Sequence, residues 1–328
     1  MLRKARLVGM AVLGILLANS AAEAQQAARV PRIGLLMVGT SASTAPLIDS
    51  FRQGLRDLGY VEGQTIGFEL RYAEGKSEVL PDLAAELVRL KVNAIVVVAA
   101  PAIRAAKQAT NTIPIVMAAV ADPVEVDFVA SLARPGGNIT GVSALAVGYS
   151  AKWPELLKEA APKISRVAVL LNPANPTHAG YWREMQVAGR ALGVTPRSVE
   201  VRSPDEFEGA FAAMTKGRAG GLIVPPDVLT LAHRTWIVDL AAKSRLPAMY
   251  GLREFVDVGG LMAYGSSLRD IYRRAANFVD KILKGAKPGD LPVEQTSRFE
   301  LVINLKTAKA LGLTIPQSVL IRADQLIQ

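Results

Sequence analysis

Hydrophobic and polar positions follow one another in blocks along this chain, and the block at residues 32–59 sets the pattern for the rest. The apolar run Ile33–Val38 is typical of a buried strand, and the next residues, Gly39–Pro46, are mostly small or carry hydroxyl groups. Apolar residues then recur at helical spacing over Leu47–Leu58, and Gly59 stands where a helix commonly ends. The block therefore predicts a strand, a polar loop and a helix, in that order.

The same order of strand and helix continues towards the carboxyl terminus. Predicted strands cover Thr65–Tyr72, Ala94–Ala99, Ile113–Val120, Ile139–Val142, Arg166–Pro173, Gly220–Val224, Leu246–Tyr250, Gly259–Gly265 and Phe299–Asn304. Predicted helices cover Leu80–Leu90, Ala100–Ala109, Val126–Ala133, Phe207–Met214, Leu268–Leu283 and Lys306–Leu311. Alternating strands and helices are typical of βαβ units, whose right-handed crossovers build a parallel sheet.

The pattern of the first half returns in the second half at a nearly constant spacing. Arg166–Pro173 repeats the apolar run that begins at Arg32, 134 residues earlier, and Leu192-Gly193 repeats Leu58-Gly59 at the same offset. Any two α/β domains share some of this rhythm, but the constant spacing favours an internal duplication. We therefore predict an α/β chain of two doubly wound parallel-sheet lobes, joined by a hinge and several crossovers. The predicted lobes are residues 30–144 with part of 265–290, and residues 145–264 with part of 291–328.

The first 24 residues have the pattern of a secretory signal peptide. Positive charges at Arg3, Lys4 and Arg6 precede the 12-residue apolar run Leu7–Ala18, and Ala22-Glu23-Ala24 matches a small-x-small cleavage site. A membrane anchor is the weaker interpretation, because a spanning helix needs about 20 apolar residues. We therefore expect cleavage near Ala24 and a mature chain in the periplasm.

Composition narrows the functional classes further. The chain has no cysteine, which excludes disulfides and thiol catalysis, and its two histidines make a metal site improbable. The net charge is +9, but the basic residues are scattered without a Lys/Arg tract, so no nucleic-acid binding is predicted. Neither the full Walker-type motif G-x-x-x-x-G-K-[ST] of a phosphate loop nor a strand-linked G-x-G-x-x-G is present. No cofactor is therefore expected.

The loops predicted at the carboxyl ends of the strands are the candidate site, because open parallel sheets bind ligands there. They are rich in Ser, Thr, Asn, Asp and Pro, and helix N-termini beside them favour anions, although capping explains each single hydroxyl equally well. Asp122 and Asp227 end equivalent strands and could act as acid and base across a cleft, but capping of the next turn is favoured. The sequence supports two roles for Tyr250 equally, stacking on a ligand and packing in the protein core.

Seven stretches along the chain form a recognisable set. They are Leu55–Gly63, Asp82–Val88, Asp122-Pro123-Val124, Leu132–Gly141, Asn172–Pro176, Arg253-Glu254-Phe255 and Asn304–Leu313. Together they resemble the solute-binding proteins of ABC transporters, in the group related to tryptophan- and tyrosine-binding components. The resemblance spans essentially the whole mature chain. It implies the type I periplasmic-binding-protein fold, in which two lobes close on a small molecule that is then delivered to a membrane permease.

The resemblance also carries over candidate ligand contacts. In relatives that bind aromatic amino acids, the ligand lies between the lobes and is held by loop hydroxyls and backbone amides. Together with the loop pattern, this identifies the candidate ligand-binding residues as Thr40, Ser41, Ser43, Ala100, Pro101, Asp122, Ser143, Asn175, Thr177, Asp227 and Tyr250. Thr40 and Ser41 are expected to form one half of a clamp, and Asn175 and Thr177 the other half.

The function implied by the resemblance is that of a periplasmic component of an ABC importer, and not of an enzyme. It would capture a small solute, an amino acid or an aromatic or carboxylate compound, by hinge closure. The expected partners are this ligand and an inner-membrane permease, and the protein is expected to be a monomer. The alternatives are a periplasmic sensor for a receptor kinase and an exported enzyme using Asp122 and Asp227. A LacI-type repressor shares the fold but begins with a helix-turn-helix, where this chain has the predicted signal peptide.

Overall fold

Two β-sheets flanked by helices form two lobes with a cleft between them. The computed structural model describes residues 30–120, 122–144, 148–296 and 298–328. The predicted signal peptide, residues 1–24, lies outside these ranges. Within the described ranges, no helix combines the length and the apolar character needed to cross a membrane.

The first lobe is built on a six-stranded sheet with the order β11-β5-β4-β3-β1-β2, in which all pairs are parallel. Numbered in chain order, its strands are β1 (Arg32–Met37), β2 (Gly67–Tyr72), β3 (Ala94–Val98), β4 (Ile115–Val120), β5 (Ile139–Ser143) and β11 (Glu294–Gln295). The helices of this lobe are α1 (Ser41–Asp57), α2 (Leu80–Arg89), α3 (Ala100–Ala109) and α9 (Leu268–Leu283).

The second lobe has a seven-stranded sheet with the order β13-β12-β10-β9-β8-β6-β7. Its strands are β6 (Arg166–Leu171), β7 (Thr195–Glu200), β8 (Gly221–Val224), β9 (Ala248–Tyr250), β10 (Met262–Ser266), β12 (Phe299–Asn304) and β13 (Gln325–Ile327). Its helices are α4 (Lys152–Ala160), α5 (His178–Ala191), α6 (Phe207–Lys216), α7 (Val228–Ala232), α8 (Arg234–Lys243), α10 (Leu305–Ala310) and α11 (Gln317–Leu320). β12 runs antiparallel to β10, so this sheet is not purely parallel as predicted.

Continuous apolar runs explain why the central strands form. Ile33–Met37 in β1 and Ala94–Val97 in β3 are buried throughout, because helices cover both faces of the sheet. The predicted apolar stripe of α9 is also buried, and it packs against α1. The two helices approach closely at Gly54, where an added Cβ would lie 2.6 Å from the Arg273 carbonyl oxygen.

The first helix begins earlier than predicted. α1 starts at Ser41 instead of Leu47, because Thr40 and Ser43 form a capping box. Thr40 Oγ1 accepts a hydrogen bond from the Ser43 N–H at 3.1 Å, and Ser43 Oγ accepts one from the Thr40 N–H at 3.0 Å. Most of the predicted loop at residues 39–46 is therefore helical, with Pro46 inside the helix.

The helix predicted over Val126–Ala133 is wrong, since these residues form turns and bends. Asp122 Oδ1 accepts hydrogen bonds from the N–H groups of Val124 and Glu125, both at 3.0 Å, which starts a tight turn. Asp127 then has a φ of 56°, in the left-handed region that a right-handed helix excludes.

The chain passes between the two sheets in three places. It leaves the first sheet after β5, returns between β10 and α9, and leaves again between β11 and β12. β11 pairs with β5, so residues 294–295 contribute to the first sheet, whereas β12 and β13 of the same segment 291–328 belong to the second. Three connecting segments between two lobes are compatible with a hinge.

Candidate ligand-binding cleft

The cleft lies at the carboxyl ends of the strands of both sheets. It encloses about 680 Å³, including the part open to solvent. The lining from the first lobe and its connections comprises residues 98–100, 119–120, 144 and 268. The lining from the second lobe comprises Tyr149, Asn175, Thr177, Tyr181, residues 226–228, Leu231, residues 251–252 and Ser266. This is the position at which open α/β sheets bind ligands.

Asp227 is the one carboxylate among these lining residues. Its Oδ1 accepts hydrogen bonds from the N–H groups of Leu229 at 2.9 Å and Thr230 at 3.3 Å, as the N-cap of α7. Its Oδ2 accepts one from Asn175 Nδ2 at 2.9 Å, and Asn172 Nδ2 lies 3.3 Å from the same oxygen. All four donors are neutral, and within the described ranges no lysine or arginine pairs with this buried side chain. Its negative charge is solvated by dipoles but is not neutralised.

His178 lies behind Asp227 and supplies no positive charge. Its Nδ1 accepts a hydrogen bond from the Asn172 N–H at 2.9 Å, so the proton is on Nε2, which lies 3.2 Å from the Pro226 carbonyl oxygen. Burial lowers the pKa of His178, and this outweighs the opposite effect of Asp227, whose Oδ2 is 4.0 Å from Nε2. The neutral ring therefore ties the loop after β6 to the loop after β8.

The loop after β6 is held by its own side chains. Asn172 Oδ1 accepts a hydrogen bond from the Ala174 N–H at 3.0 Å. Asn175 Oδ1 accepts from both the N–H and the hydroxyl of Thr177, at 3.1 and 2.8 Å. The Asn175 carboxamide is thereby oriented with its nitrogen towards Asp227. Asn175 and Thr177 thus position the carboxylate as well as lining the cleft.

Two tyrosines form an aromatic side of the cleft. The hydroxyl of Tyr149 donates to that of Tyr181 at 3.0 Å, and their rings meet edge to face at 5.8 Å. Trp153 packs against both rings from behind, at 5.2 and 5.3 Å. Burial raises the pKa of Tyr181 to about 12 and raises that of Tyr149 well above its usual value. Both hydroxyls are therefore neutral hydrogen-bonding groups on an otherwise apolar surface.

The facing wall in the first lobe offers backbone instead of polar side chains. Ala99 precedes α3 with a φ of 67° and a ψ of 148°, and no side chain caps this helix N-terminus. Ala119, near the end of β4, has a φ of 55°. Such conformations cost about 1–3 kcal/mol for a residue with a Cβ, and strain of this kind concentrates at binding sites. The uncapped N–H groups of the first turn of α3 suit an anionic group of a ligand.

Four of the predicted ligand-binding residues line the cleft: Ala100, Asn175, Thr177 and Asp227. Pro101 follows Ala100 but lines a neighbouring groove, between α3 and the second-lobe residues Pro173, Ala174 and Pro176. Ser143 is buried in β5, where its hydroxyl donates to the Val120 carbonyl oxygen at 3.2 Å. Asp122 caps its own turn, as described above, and does not line the cleft.

The two predicted halves of the clamp lie differently relative to the cleft. Asn175 and Thr177 line it, whereas Thr40 and Ser43 cap each other at the start of α1, Ser41 is exposed in the first turn, and none of these three lines the cleft. Strand order does not explain the difference, because β1 lies between β3 and β2 just as β6 lies between β8 and β7. The local reason is the capping box, which makes residues 41–46 helical, whereas residues 172–177 form a loop.

Tyr250 lies in the core of the second lobe. It is 1 % exposed and stacks on Phe255, with ring centroids 4.6 Å apart and planes at 10°. Two roles were considered for Tyr250 from the sequence, stacking on a ligand in the cleft and packing in the core. The structure places its ring in the core. The aromatic residues that do line the cleft, Tyr149 and Tyr181, stand beside predicted cleft loops and are part of an aromatic content of only 5 %. The scarcity of aromatic residues and the position of these two beside the loops were signals of a binding role in the sequence. Neither tyrosine was among the predicted ligand-binding residues.

Among the described residues, the cleft lining contains no pair of acid and base groups. Asp122 and Asp227 are not brought together as an acid–base pair, because Asp122 is engaged in its turn. Within the described ranges, no cluster of three His, Asp or Glu side chains could hold a metal ion. What the cleft presents is a buried negative charge, aromatic surface and free backbone donors.

The chain has counterparts among known proteins. The sequence profile described as ABC transporter substrate binding protein matches residues 37–327. The chain belongs to this family. Its lobes have the type I periplasmic-binding-protein fold that the resemblance implied.

Individual members of the ABC transporter substrate-binding family match over most of their length. A tyrosine-binding protein of Clostridioides difficile (strain R20291) is 28% identical over 273 residues, which are 82% of this chain and 78% of that protein. The crystal structure of an ABC domain in complex with L-Trp from Streptococcus pneumonia has a TM-score of 0.85 and 29% identity, covering 90% of this chain and 99% of that one. A conserved domain protein from Vibrio cholerae has a TM-score of 0.85 and 26% identity, covering 91% and 100%.

Proposed function

We propose that this chain is the substrate-binding component of an ABC importer and that its ligand is a zwitterionic amino acid with an aromatic side chain. The observation that carries the proposal is the buried Asp227 carboxylate, which lines the cleft without a cationic partner among the described residues. Buried charges in proteins are normally paired, so the missing cation is best supplied by the ligand. A primary ammonium group is the cation that amino acids carry.

The carboxylate of the ligand is assigned to the opposite wall. No lysine or arginine stands among the described lining residues, so an anionic group has to be held by backbone N–H groups. The uncapped first turn of α3, at Ala99 and Ala100, provides them together with the positive end of the helix dipole. An ammonium binding to the second lobe and a carboxylate binding to the first lobe would connect the lobes through the ligand.

The side chain of the ligand is assigned to the surface formed by Tyr149 and Tyr181. Edge-to-face and offset contacts with such rings favour an aromatic group over an aliphatic one. Two of the relatives described above are named for tyrosine or for L-Trp, which supports the same class for this chain. The Tyr181 hydroxyl, at the cleft, favours a ligand with a hydrogen-bonding ring substituent or an indole N–H.

Ligand entry requires the lobes to separate, and we propose hinge motion about the three connecting segments. One contact between the lobes spans the mouth of the cleft: Arg183 Nη2, on α5, lies 3.0 Å from Glu125 Oε1, in the turn after β4. Both side chains are exposed, so this ion pair adds little energy and opens easily. The closed lobes would be recognised by an inner-membrane permease, with the mature, monomeric protein located in the periplasm after removal of residues 1–24.

The experiment is a thermal-unfolding screen of the purified mature protein against the common amino acids and two truncated ligands. We expect L-tryptophan or L-tyrosine to raise the Tm, since a ligand at 100 times its Kd stabilises the folded state by about 2.7 kcal/mol. Tryptamine lacks the carboxylate and indole-3-propionate lacks the ammonium, so both are expected to have little effect. Equal stabilisation by indole-3-propionate, or no stabilisation by any aromatic amino acid, would contradict the proposed pairing.

A further inference from the structure

A second cavity lies in the second lobe, at the amino-terminal ends of β9 and β10 and therefore at the opposite end of the sheet from the cleft. It encloses about 540 Å³, including the part open to solvent, which is within the usual range for small-molecule sites. Helix α8 borders it on one side and helix α10 on the other. None of its lining residues is shared with the cleft.

Most of the cavity wall is apolar. Its lining includes Val238, Ala241, Leu246, Leu261 and Leu311. The Thr307 hydroxyl also lines it, but this group is already used, because it donates to the Gly259 carbonyl oxygen at 2.8 Å. A ligand of this cavity therefore needs a compact apolar body.

The inner end of the cavity contains an unsatisfied polar group. Tyr250 lines the cavity and is 1 % exposed, and its hydroxyl has no hydrogen-bond partner among the described residues. Burial raises the pKa of Tyr250, so the group stays protonated and can both donate and accept. The hydroxyl is not fully enclosed by protein atoms, so it stays open to the cavity and can bond to a ligand there.

The rim of the cavity is positively charged. Arg245 lines it and is exposed, and its guanidinium group forms no ion pair or hydrogen bond with the described residues. Lys306 and Lys309 are exposed on α10 and are also without ion pairs in the described part of the chain. The mouth is thus suited to a carboxylate, and a guanidinium can hold one with two parallel hydrogen bonds.

We infer that this cavity is a second binding site, for a small hydroxylated aromatic carboxylate. The ring would lie between α8 and α10, the carboxylate would pair with Arg245 at the rim, and the hydroxyl group would meet the Tyr250 hydroxyl at the inner end. This site is independent of the ligand proposed for the cleft, because the two share no residue.

The test uses 3-fluoro-4-hydroxybenzoate as the probe and fluorine NMR of the whole mature protein as the readout. We expect its signal to broaden on binding, and affinity to fall at least about tenfold in Arg245→Gln, where a charged hydrogen bond is lost. Tyr250→Phe is expected to weaken binding roughly fivefold, since one neutral hydrogen bond is removed. The probe 3-fluorobenzoate, which lacks the hydroxyl, should not distinguish Tyr250→Phe from the unmodified protein.

Two further substitutions, each replacing an alanine with a larger side chain, keep the test decisive if Tyr250→Phe unfolds the protein. Ala310→Leu fills the cavity from an exposed helical position and should abolish binding, whereas Ala213→Leu, at an exposed position of α6, should leave it unchanged. Excess L-tryptophan or L-tyrosine should not displace the probe. Binding that survives both Arg245→Gln and Ala310→Leu, displacement by the amino acids, or no binding at millimolar probe would each overturn the inference, whatever binds in the cleft.

Discussion

The two walls of the cleft come from lobes with the same strand–helix plan but present different chemistry. The first-lobe wall consists of Val98, Ala99, Ala100, Ala119 and Val120, which offer backbone groups and apolar surface. The second-lobe wall offers Asp227, Asn175, Thr177 and two tyrosines. Because the two lobes repeat the same topology, the strand ends of both sheets meet at one cleft. The residues that follow those strand ends nevertheless differ chemically between the lobes. Two walls of opposite electrostatic character are suited to a zwitterion.

The pair Asp122 and Asp227 is the sharpest form of this comparison, because both carboxylates follow a strand of their lobe and both cap the next turn. The two strands, β4 and β8, are not equivalent in strand order as predicted, since β8 corresponds to β3. Asp227→Asn removes the negative charge that faces the cleft and should weaken amino-acid binding by about 100-fold or more, as expected for loss of a buried charge pair. Asp122→Asn is the matched control and should leave affinity unchanged. Calorimetric titration measures both, and equal effects of the two substitutions would remove the distinction between the walls.

The aromatic side of the second wall is expected to contribute less than the charge. Tyr181→Leu should reduce affinity for an aromatic amino acid by roughly tenfold, because the edge contact and the hydroxyl are both lost. Tyr264→Leu is the control, since Tyr264 stacks on Phe299 outside the cleft lining. A stronger effect of Tyr264→Leu on affinity would indicate that the ligand contacts a different aromatic surface.

The second lobe should also respond to acid in a way the first lobe does not, since both histidines of the chain belong to it. Burial lowers the pKa of His178, so the unfolded chain takes up a proton near the ordinary histidine pKa while the folded chain does so only at lower pH. The contribution of the neutral ring to the free energy of unfolding is therefore fully present above the ordinary histidine pKa. It falls as the pH drops below that value, by at most about 1.4 kcal/mol per pH unit for one proton.

Urea unfolding at several pH values between 7.5 and 5 measures this loss. His178→Gln should flatten the pH dependence relative to the unmodified protein, and the remaining slope should include His233, whose pKa is also lowered by burial. An unchanged slope in His178→Gln would mean that the ring is not held neutral in the folded state.

The strain in the first wall predicts a gain in stability. Ala99→Gly relieves a backbone conformation that favours glycine and should raise the free energy of unfolding by about 1 kcal/mol, after the entropy cost of glycine is subtracted. Ala100→Gly, one residue further and inside α3, should instead lower it by about 1 kcal/mol. Urea denaturation of the two variants gives the comparison, and destabilisation by both would show that Ala99 is not strained.

The contact at the mouth should have the smallest effect. Arg183→Gln or Glu125→Gln should change ligand affinity by no more than about threefold, because an exposed ion pair contributes 0.2–1 kcal/mol. The difference from the unmodified protein should vanish at high salt. A tenfold effect that persists at high salt would show that this contact controls closure.

The strongly periodic elements could be predicted from the sequence, and the site only in part. α3 and α9 have the predicted bounds, since regular apolar spacing and local turn signals identify them. The helix predicted over Val126–Ala133 is wrong. The spacing of apolar residues reveals neither the competing turn at Asp122 nor the left-handed backbone of Asp127. Asp227, Asn175 and Thr177 line the cleft because their loops directly follow predicted strands, β8 and β6, and their role in ligand binding stays a prediction.

Tyr250 and Thr40 mark where sequence reasoning stopped. Each stands at a strand end, as a cleft residue would, but one side chain points into the core and the other caps a helix. Strand position specifies only the edge of the sheet, whereas capping and packing decide where each side chain at that edge points. The apolar pattern reveals neither the capping box of Thr40 and Ser43 nor the stacking of Tyr250 on Phe255.

The sequence by itself determined the α/β class, the two-lobe repeat and the family, because these depend on local periodicity and on short motifs spread along the chain. Only the tertiary structure decided that an unneutralised carboxylate faces strained, uncapped backbone across the cleft, and that Tyr250 ends in a separate cavity. Both features depend on which distant side chains and N–H groups become neighbours on folding, and on which polar groups then remain without a partner. No local pattern of residues contains that information.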